Sequence, residues 1–272
     1  MKETEVKNTV REKYARVARQ GESCCGPKAC GCNSPTSARD ISKSIGYSDE
    51  EMAAVPEGAN LGLGCGNPVA LASLKEGETV LDLGSGAGFD CFLAARQVGE
   101  KGRVIGVDMT PEMLEKARTN ARKSGCTNVE FRLGEIENLP AADGSIDAII
   151  SNCVINLAPD KNKVFSEAWR VLRPGGRILV SDIVTHDLPD QVRQSLEAWA
   201  FCVAGALEEG DYIDAIRVAG FSDVEIVARV DYDAGTISAI AGEMESIPDE
   251  LARLAPSLAG RVSSIKIGAI KA

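Results

Sequence analysis

The sequence predicts an α/β fold, with a doubly wound, mostly parallel seven-stranded sheet and a helical, cysteine-bearing N-terminal extension. Three observations lead to this prediction. From residue 79 onward, short apolar runs alternate with helical segments of about ten to fifteen residues. A glycine-rich turn follows the first apolar run directly. The composition, 44% hydrophobic and 26% charged over 272 residues, is typical of a folded globular protein.

The chain before residue 79 is expected to hold two helices separated by loops. Residues 2–20 place apolar side chains at helical spacing, at Val6, Val10, Tyr14 and Val17. Residues 21–35 are rich in Gly, Pro and Cys and predict a loop. The sequence Ser48-Asp49-Glu50-Glu51 matches a capping box and predicts a short helix through residue 54. The glycine-rich stretch 58–68 then predicts a second loop, which carries Cys65.

The remaining elements follow the alternation of apolar runs and helical segments. Strands are predicted at residues 79–83, 104–108, 129–133, 146–151, 177–182, 224–230 and 262–269. Helices are predicted at residues 89–97, 111–124, 161–172, 191–206 and 211–219, and residues 234–260 are expected to be a helical insertion. The chain is thus divided into an N-terminal unit (1–72), a central domain (73–233) and an insertion with the final strand (234–272).

Charge and hydrophobicity exclude several classes of function. The chain carries 30 Lys and Arg against 40 Asp and Glu, a net charge of -10 that disfavours binding to nucleic acid. No apolar run reaches the roughly 18 residues of a membrane span, and the N-terminus lacks an apolar signal core, so a cytoplasmic protein without membrane contact is expected. In a reducing compartment the nine cysteines are predicted to act as thiols for metal binding or chemistry.

The segment Asp82-Leu83-Gly84-Ser85-Gly86-Ala87-Gly88 joins the first strand to the first helix. Glycines at such a turn let the backbone approach a ligand closely. The spacing differs from the pyrophosphate-binding Gly-x-Gly-x-x-Gly pattern and favours a nucleoside over a dinucleotide. Asp108 ends the second strand twenty residues later, where it is placed to accept both ribose hydroxyls. The alternative is a tight turn, with Asp108 capping the next helix.

This pattern resembles the class I S-adenosylmethionine-dependent methyltransferases, which have a Rossmann-like fold. The resemblance implies that the glycine loop holds the methionine end of the donor, Asp108 the ribose, and Glu135-Ile136 the adenine. It makes residues 73–233 the donor-binding domain. The cofactor-binding residues implied are Asp82, Gly84, Ser85, Gly86, Gly88, Asp108, Met109, Glu135, Ile136 and Asn152.

Three cysteines are expected at the same edge of the sheet as the donor. Cys153 directly follows the fourth strand, Cys202 lies in the helical segment after the fifth, and Cys65 lies in a loop that precedes the sheet. His186 is the single histidine, so a general base is scarce. Trivalent arsenic held by three thiolates needs no base, because its lone pair attacks the sulfonium methyl directly. Each cysteine alone is equally consistent with core packing.

The surroundings of these cysteines are similar to the three cysteine motifs of the arsenite methyltransferases. The matching segments are Gly64-Cys65-Gly66, Ser151-Asn152-Cys153-Val154-Ile155-Asn156-Leu157 and Phe201-Cys202-Val203-Ala204-Gly205-Ala206-Leu207. The resemblance implies that Cys153 and Cys202 retain arsenic through successive methylations, and that Cys65 is a third ligand and redox partner. It also implies a thiol reductant, glutathione or thioredoxin.

Four further thiols cluster within the N-terminal loop, at Cys24, Cys25, Cys30 and Cys32. Their number suits a tetrahedral zinc site, but the spacing does not match paired zinc knuckles. A relay that passes arsenite inward is preferred, with structural zinc or no role as alternatives. Cys91 and Cys126 are expected to be packing residues.

Two other functions stay open at this point. A quinone or small-molecule C-methyltransferase shares the glycine loop and the Leu172-Arg173-Pro174-Gly175-Gly176 turn but leaves the cysteines unexplained. A thiol-based metalloid-binding protein without enzymatic activity leaves the donor site unexplained. The sequence therefore favours an enzyme that transfers methyl groups from S-adenosylmethionine to thiol-bound arsenite.

Overall fold

A computed structural model describes residues 2–20, 38–70, 72–242 and 253–272. Within this part of the chain, seven strands form one sheet. The strands are β1 (Thr79–Leu83), β2 (Arg103–Asp108), β3 (Val129–Leu133), β4 (Ile146–Asn152), β5 (Leu172–Thr185), β6 (Phe221–Asp231) and β7 (Val262–Lys271). The predicted fold class is confirmed.

The described helices cover both faces and one edge of this sheet. They are α1 (Glu3–Gln20), α2 (Ala38–Ser44), α3 (Asp49–Ala53), α4 (Phe89–Val98), α5 (Pro111–Ser124), α6 (Lys161–Val171), α7 (Asp190–Arg193), α8 (Leu196–Ala200), α9 (Glu209–Val218) and α10 (Ala234–Gly242). Short 3₁₀ turns occur at Ile155–Leu157 and Ala255–Leu258. The predicted capping box is present, since Ser48 and Glu51 bond reciprocally at the start of α3.

The strand order is β3-β2-β1-β4-β5-β7-β6. Strands β1 to β5 run parallel, and β7 is antiparallel to both β5 and β6. The chain reverses its direction of winding between β1 and β4, and ligands of doubly wound folds bind at the carboxyl ends of the strands at such a point. The inner strands are buried on both faces, as shown by Leu81, Ile149 and Ile150.

Helix α2 was not predicted, and the largest differences from the predicted bounds are in β5 and in residues 191–206. Strand β5 is more than twice as long as residues 177–182, because it pairs with β4 from Leu172 and with β7 as far as Thr185. Residues 191–206 were predicted as one helix, but the structure has the short helices α7 and α8, with α8 ending at Ala200. The helix stops there because Cys202 has φ +63°, a left-handed backbone conformation that an α-helix does not allow.

Helix α1 packs across the carboxyl edge of the sheet, against α5 and α8. Val6 and Val10 belong to the same buried apolar cluster as Cys65 and Cys202. The predicted N-terminal helix therefore forms one wall of the region in which the predicted site lies. None of the described helices has both the length and the apolar character that crossing a membrane requires.

Candidate functional site

A cavity of about 890 Å³ opens at the carboxyl ends of β1, β2 and β4. The glycine loop after β1, Cys65, Cys153 and Cys202, and residues of α1 all line it. This volume lies within the range of small-molecule and cofactor sites. The residues predicted for donor binding, except Gly88 and Glu135, thus share one cavity with the three predicted thiols.

The glycine loop has the backbone shape that its sequence requires. Gly84, Gly86 and Gly88 have φ of +69°, +51° and +94°, values that residues with a Cβ rarely adopt. A Cβ on Gly84 would overlap the side chain of Val154, so the loop lies directly against the residue that follows Cys153. The first two glycines line the cavity, whereas Gly88 packs against Phe92 and Phe131.

Asp108 shapes the loop from the neighbouring strand. Its Oδ2 accepts a hydrogen bond from the Gly86 amide at 2.9 Å, and its Oδ1 accepts one from the Thr110 amide at 2.8 Å. Burial raises the pKa of this carboxyl above its usual value. Asp108, Met109 and Thr110 all line the cavity, so the predicted ribose residue lies where a ligand can reach it.

Two more buried carboxyls, Asp82 and Asp90, face the same cavity. Burial and mutual repulsion raise the pKa of Asp82 well above its usual value, and burial raises the pKa of Asp90 to about 6. The Cys91 thiol donates to Asp82 at 3.1 Å. Burying several carboxyls together is costly unless a positive charge joins them, so the cavity favours a cationic ligand.

Ser85 supplies a second sign of a ligand site. Ser85 lines the cavity, and its hydroxyl oxygen is buried beside Gly106 of β2 without a hydrogen-bond partner among the described residues. Buried polar groups are almost always paired in native proteins, so the unpaired hydroxyl of a residue that lines the cavity is compatible with a polar ligand there. A donor with a sulfonium, an ammonium group and ribose hydroxyls fits this combination of acids and an unpaired hydroxyl.

The adenine end differs from the expectation. Glu135 turns away from the cavity and pairs with α1, 2.8 Å from Lys7 and 3.5 Å from Arg11. Ile136 lines the cavity as expected, and the buried Glu137 lines it too. Sequence reasoning missed Glu137 and Lys7, because the direction of each acid depends on where α1 docks.

The three predicted thiols converge from distant parts of the chain. The Cys202 thiol donates to the carbonyl of Cys153 at 2.9 Å, and the Cys65 sulfur lies 3.8 Å from the Ser181 hydroxyl. The sulfurs of Cys65 and Cys153 and a carboxylate oxygen of Asp182 all lie within 4.8 Å of one another. The hydrogen bonds and proximity of the Cys202 and Cys65 thiols, together with burial, raise the pKa of Cys153 well above its usual value.

The backbone at two of these thiols is unusual. Cys153 has φ +58° and Cys202 has φ +63°, both in the left-handed region that side chains with a Cβ seldom enter. Such conformations cost about 1–3 kcal/mol each and persist where the surrounding structure imposes them, often at functional sites. The Cys153 amide donates to the Ser181 carbonyl at 2.7 Å, which holds its backbone against β5.

A buried polar group that the sequence did not reveal lies beneath the thiols. Tyr212 donates to Asp182 at 3.1 Å, and burial raises the pKa of Asp182 to about 7. Lys161 is buried nearby, where its ammonium donates to the carbonyls of Asn156 at 3.2 Å and Ala158 at 2.7 Å. Burial lowers the pKa of Lys161 to about 8. No sequence motif marks these residues, since the fold alone brings α6, α9 and β5 together.

The other cysteines fall into two groups. Cys24, Cys25, Cys30 and Cys32 lie outside the described residues. Cys91 is fully buried and Cys126 is half-buried, where it donates to Asn128 at 3.3 Å, and neither lines the cavity. Their placement agrees with the expected packing role.

Comparison with known proteins supplies the family. A methyltransferase domain model matches residues 74–230. The arsenite methyltransferase of Halobacterium salinarum is 52% identical over 232 residues, which is 83% of this chain and 59% of that protein. The arsenite methyltransferase of Aquipseudomonas alcaligenes is 45% identical over 172 residues, 60% of this chain and 49% of that protein. The chain thus spans between about half and three-fifths of the length of these curated relatives.

A solved structure agrees with these relatives. The crystal structure of an arsenic (III) S-adenosylmethionine methyltransferase from Chlamydomonas reinhardtii matches with a TM-score of 0.63 and 38% identity. The match covers 84% of this chain and 72% of that one, so it extends beyond the residues that the methyltransferase domain model matches. With its glycine loop, its three convergent cysteines and these relatives, the chain belongs to the arsenite methyltransferase family of class I S-adenosylmethionine-dependent methyltransferases.

Proposed function

We propose that this protein transfers methyl groups from S-adenosylmethionine to trivalent arsenic held by Cys65, Cys153 and Cys202, and so produces methylated arsenicals. The observation that carries the proposal is that the glycine loop and the three thiols line the same cavity. The names of the relatives supply the substrate class. A quinone methyltransferase has no use for convergent thiols, and a metalloid-binding protein has no use for the donor loop.

The donor half of the cavity binds and orients the methyl donor, which supplies an electrophilic methyl group on a positively charged sulfur. Asp82 and Asp90 offset the positive charge of the donor. Asp108 accepts the ribose hydroxyls, and Ser85 donates to or accepts from the methionine end. The raised pKa values of these buried carboxyls support the proposal, because a bound cation stabilises their ionised forms.

Capture of arsenite needs no general base. Arsenous acid exchanges its three hydroxyl groups for three thiolates, and each thiol proton leaves with a hydroxyl as water. Protonated thiols therefore suffice as starting groups, which agrees with the raised pKa of Cys153. Soft sulfur ligands also match a soft arsenic centre better than oxygen ligands do.

Methyl transfer follows from the shape of the bound substrate. Three sulfur ligands leave arsenic pyramidal, with a lone pair on the open side. The arsenic lone pair attacks the methyl carbon, and the broken carbon–sulfur bond leaves its electrons on sulfur, which becomes the neutral thioether of S-adenosylhomocysteine. The protein's contribution is to hold the two reacting atoms about 3–3.5 Å apart and in line.

The transfer raises arsenic from the trivalent to the pentavalent state, so each further turnover needs two electrons. A thiolate of glutathione or thioredoxin attacks the Cys65 sulfur, the arsenic–sulfur bond breaks, and its electron pair returns to arsenic. Cys153 and Cys202 keep the trivalent methylated arsenic, and a second external thiol reduces the mixed disulfide on Cys65. Cys65 is the proposed redox partner, and its sulfur lies within 4.8 Å of that of Cys153.

The test combines arsenic speciation with donor binding. Purified protein is incubated with arsenite, S-adenosylmethionine and either glutathione or a thioredoxin system, and arsenic species are separated by chromatography and identified by mass spectrometry. The proposal expects methylarsenicals and one S-adenosylhomocysteine for each methyl group transferred. Unchanged arsenite, measured while calorimetry shows that the donor is bound, would contradict it.

A further inference from the structure

The side-chain amide of Asn152 is fully occupied by protein groups. Its Oδ1 accepts a hydrogen bond from the Cys65 amide at 3.0 Å. Its Nδ2 lies 2.7 Å from the Gly66 carbonyl oxygen, 2.9 Å from the Tyr47 hydroxyl and 3.2 Å from Asp90 Oδ2. The amide therefore holds the backbone on both sides of the Cys65 thiol, although the sequence assigns Asn152 to the donor.

Tyr47 and Asp90 fix the orientation of this amide. The Tyr47 hydroxyl donates to Asp90 Oδ1 at 2.6 Å, and both side chains are buried. Because an ionised carboxylate only accepts hydrogen bonds, Asp90 and the phenol oxygen bonded to it require the Nδ2 side of Asn152 to face them. Oδ1 then necessarily faces the Cys65 amide. Asp90 lies in the first turn of α4, directly after the glycine loop.

The Cys65 loop is pressed against this group. A Cβ on Gly64 would come within 2.7 Å of the Asn152 amide, and a Cβ on Gly66 would overlap the Ser181 hydroxyl. Ser264 adds a hydrogen bond to the Cys65 carbonyl at 2.7 Å. Glycine on both sides of the cysteine thus permits the close approach on which the contacts of Asn152 depend.

We propose that Asn152, oriented by Tyr47 and Asp90, is a positioning residue that sets Cys65 as the third arsenic ligand and thereby sets the preference of the site for unmethylated arsenic. This inference rests on the proposed function. Arsenite offers three positions for thiols, but methylarsenite offers two, because one position already carries carbon. Loss of the Asn152 contacts therefore weakens the use of arsenite more than the use of methylarsenite, for which Cys153 and Cys202 suffice.

Tyr47→Phe is the sharpest variant, because it removes the hydroxyl and keeps the ring that packs 4.7 Å from Phe89. We expect kcat/KM for arsenite to fall by about 10-fold relative to kcat/KM for methylarsenite, the size expected from losing one strong hydrogen bond. Arsenic X-ray absorption of the arsenite-loaded variant should show fewer than three sulfur neighbours, against three in the unmodified protein. Cys65→Ser, which lacks the third thiol, should show the largest fall in this ratio and in the number of sulfur neighbours.

Asn128→Ala is the control, since it removes another side chain whose Nδ2 donates to two protein oxygens, the Ala95 and Gly99 carbonyls, at 3.0 Å each, and Asn128 does not line the cavity. An equal change in the arsenite-to-methylarsenite ratio in both variants would mean general loosening and would overturn the proposal. If Tyr47→Phe weakens donor affinity but leaves the arsenite-to-methylarsenite ratio unchanged, Asn152 acts on the donor and not on Cys65. This result would also overturn the proposal.

Asn152→Asp provides a second route if Tyr47→Phe does not fold. It keeps the acceptor for Cys65 but replaces the donor to Gly66, so the same fall in the ratio is expected. Failure of the proposed function has a different signature, because the unmodified protein would then methylate neither arsenical. If only this inference fails, the protein still methylates both arsenite and methylarsenite, and none of these variants changes the ratio of the two rates.

Discussion

The two halves of the cavity are built in different ways. The donor half comes mainly from one contiguous segment, residues 82–88, with Asp108 from the next strand. The thiol half brings together Cys65, Cys153 and Cys202 from three segments of the chain. In the donor half the left-handed backbone positions are glycines, whereas in the thiol half two of them are cysteines.

This difference separates a locally encoded site from one imposed by the fold. Glycine adopts a positive φ without strain, so the donor loop takes its shape from its own sequence. Cys153 and Cys202 adopt a similar backbone only because β5, α8 and the Cys65 loop surround them, and the chemistry requires sulfur where conformation would favour glycine. Changes in the donor half should therefore affect donor affinity, and changes in the thiol half should affect arsenic chemistry with the donor still bound.

The largest expected effect is a loss of arsenic methylation with donor binding unchanged. Cys153→Ser and Cys202→Ser should each reduce methylation of arsenite and of methylarsenite by roughly 1000-fold, about 4 kcal/mol, because both substrates depend on this pair and a hydroxyl is a poor ligand for soft arsenic. Donor affinity, measured by calorimetry, should stay within about 2-fold. Rates like those of the unmodified protein in both variants would remove the thiols from the mechanism.

The second prediction concerns the point where the halves touch. Gly84→Ala places a methyl group in the space of the Val154 side chain, next to Cys153, at a position with φ +69°. We expect donor affinity to fall by about 10–100-fold and arsenite methylation to fall with it, because both the loop and Val154 must shift. Calorimetry and arsenic speciation measure the two effects on the same preparation.

Gly125→Ala is the matched control for this change. Gly125 ends α5 with φ +67°, yet a Cβ there meets nothing within 4 Å. It should cost only the backbone strain, about 1–2 kcal/mol, and leave donor binding unchanged. Equal effects of the two substitutions on donor affinity would show that strain alone, and not the contact with Val154, accounts for the loss.

These differences also explain what the sequence could predict. The parallel strands were predictable because burial on both faces produces uninterrupted apolar runs, and strands β1 and β3 match their predicted bounds. The end of α8 at Ala200 was not predictable, because no local pattern indicates the positive φ of Cys202. The three thiols were found through family resemblance, while the hydrogen-bonded group around Asn152 depends on tertiary contacts that periodicity does not encode.

A third prediction tests whether Lys7 of α1 supports the donor half. The Lys7 ammonium lies 3.0 Å from a carboxylate oxygen of the buried Glu137 and 2.8 Å from Glu135. Lys7→Met leaves Glu137 buried without its cation, at a cost of roughly 1–3 kcal/mol. Donor affinity should weaken by about 3–10-fold, with the ratio of arsenite to methylarsenite turnover unchanged. Lys101→Met, at an exposed position, serves as control, and a change in the ratio of arsenite to methylarsenite turnover would assign Lys7 to the thiol half instead.

The smallest expected effects concern the two described cysteines outside the cavity wall. Cys91→Ala removes a fully buried thiol that donates to Asp82, so a loss of about 1–2 kcal/mol in stability and a loss of up to about 3-fold in donor affinity are expected. Cys126→Ala, at a half-buried position, should change stability by no more than about 0.5 kcal/mol. Denaturant unfolding and calorimetry measure both.

Neither substitution should alter the number of sulfur ligands on arsenic, because both thiols lie away from the cavity. Five thiols are described in the structure, but only those of Cys65, Cys153 and Cys202 reach the cavity. If Cys91→Ala lowered arsenic binding while donor binding stayed intact, the acids of the donor half and the thiols would be coupled through Asp82. The two halves would then not be independent at Asp82. If it lowers donor affinity alone, Cys91 supports the donor half through its hydrogen bond, and its thiol has no part in arsenic chemistry.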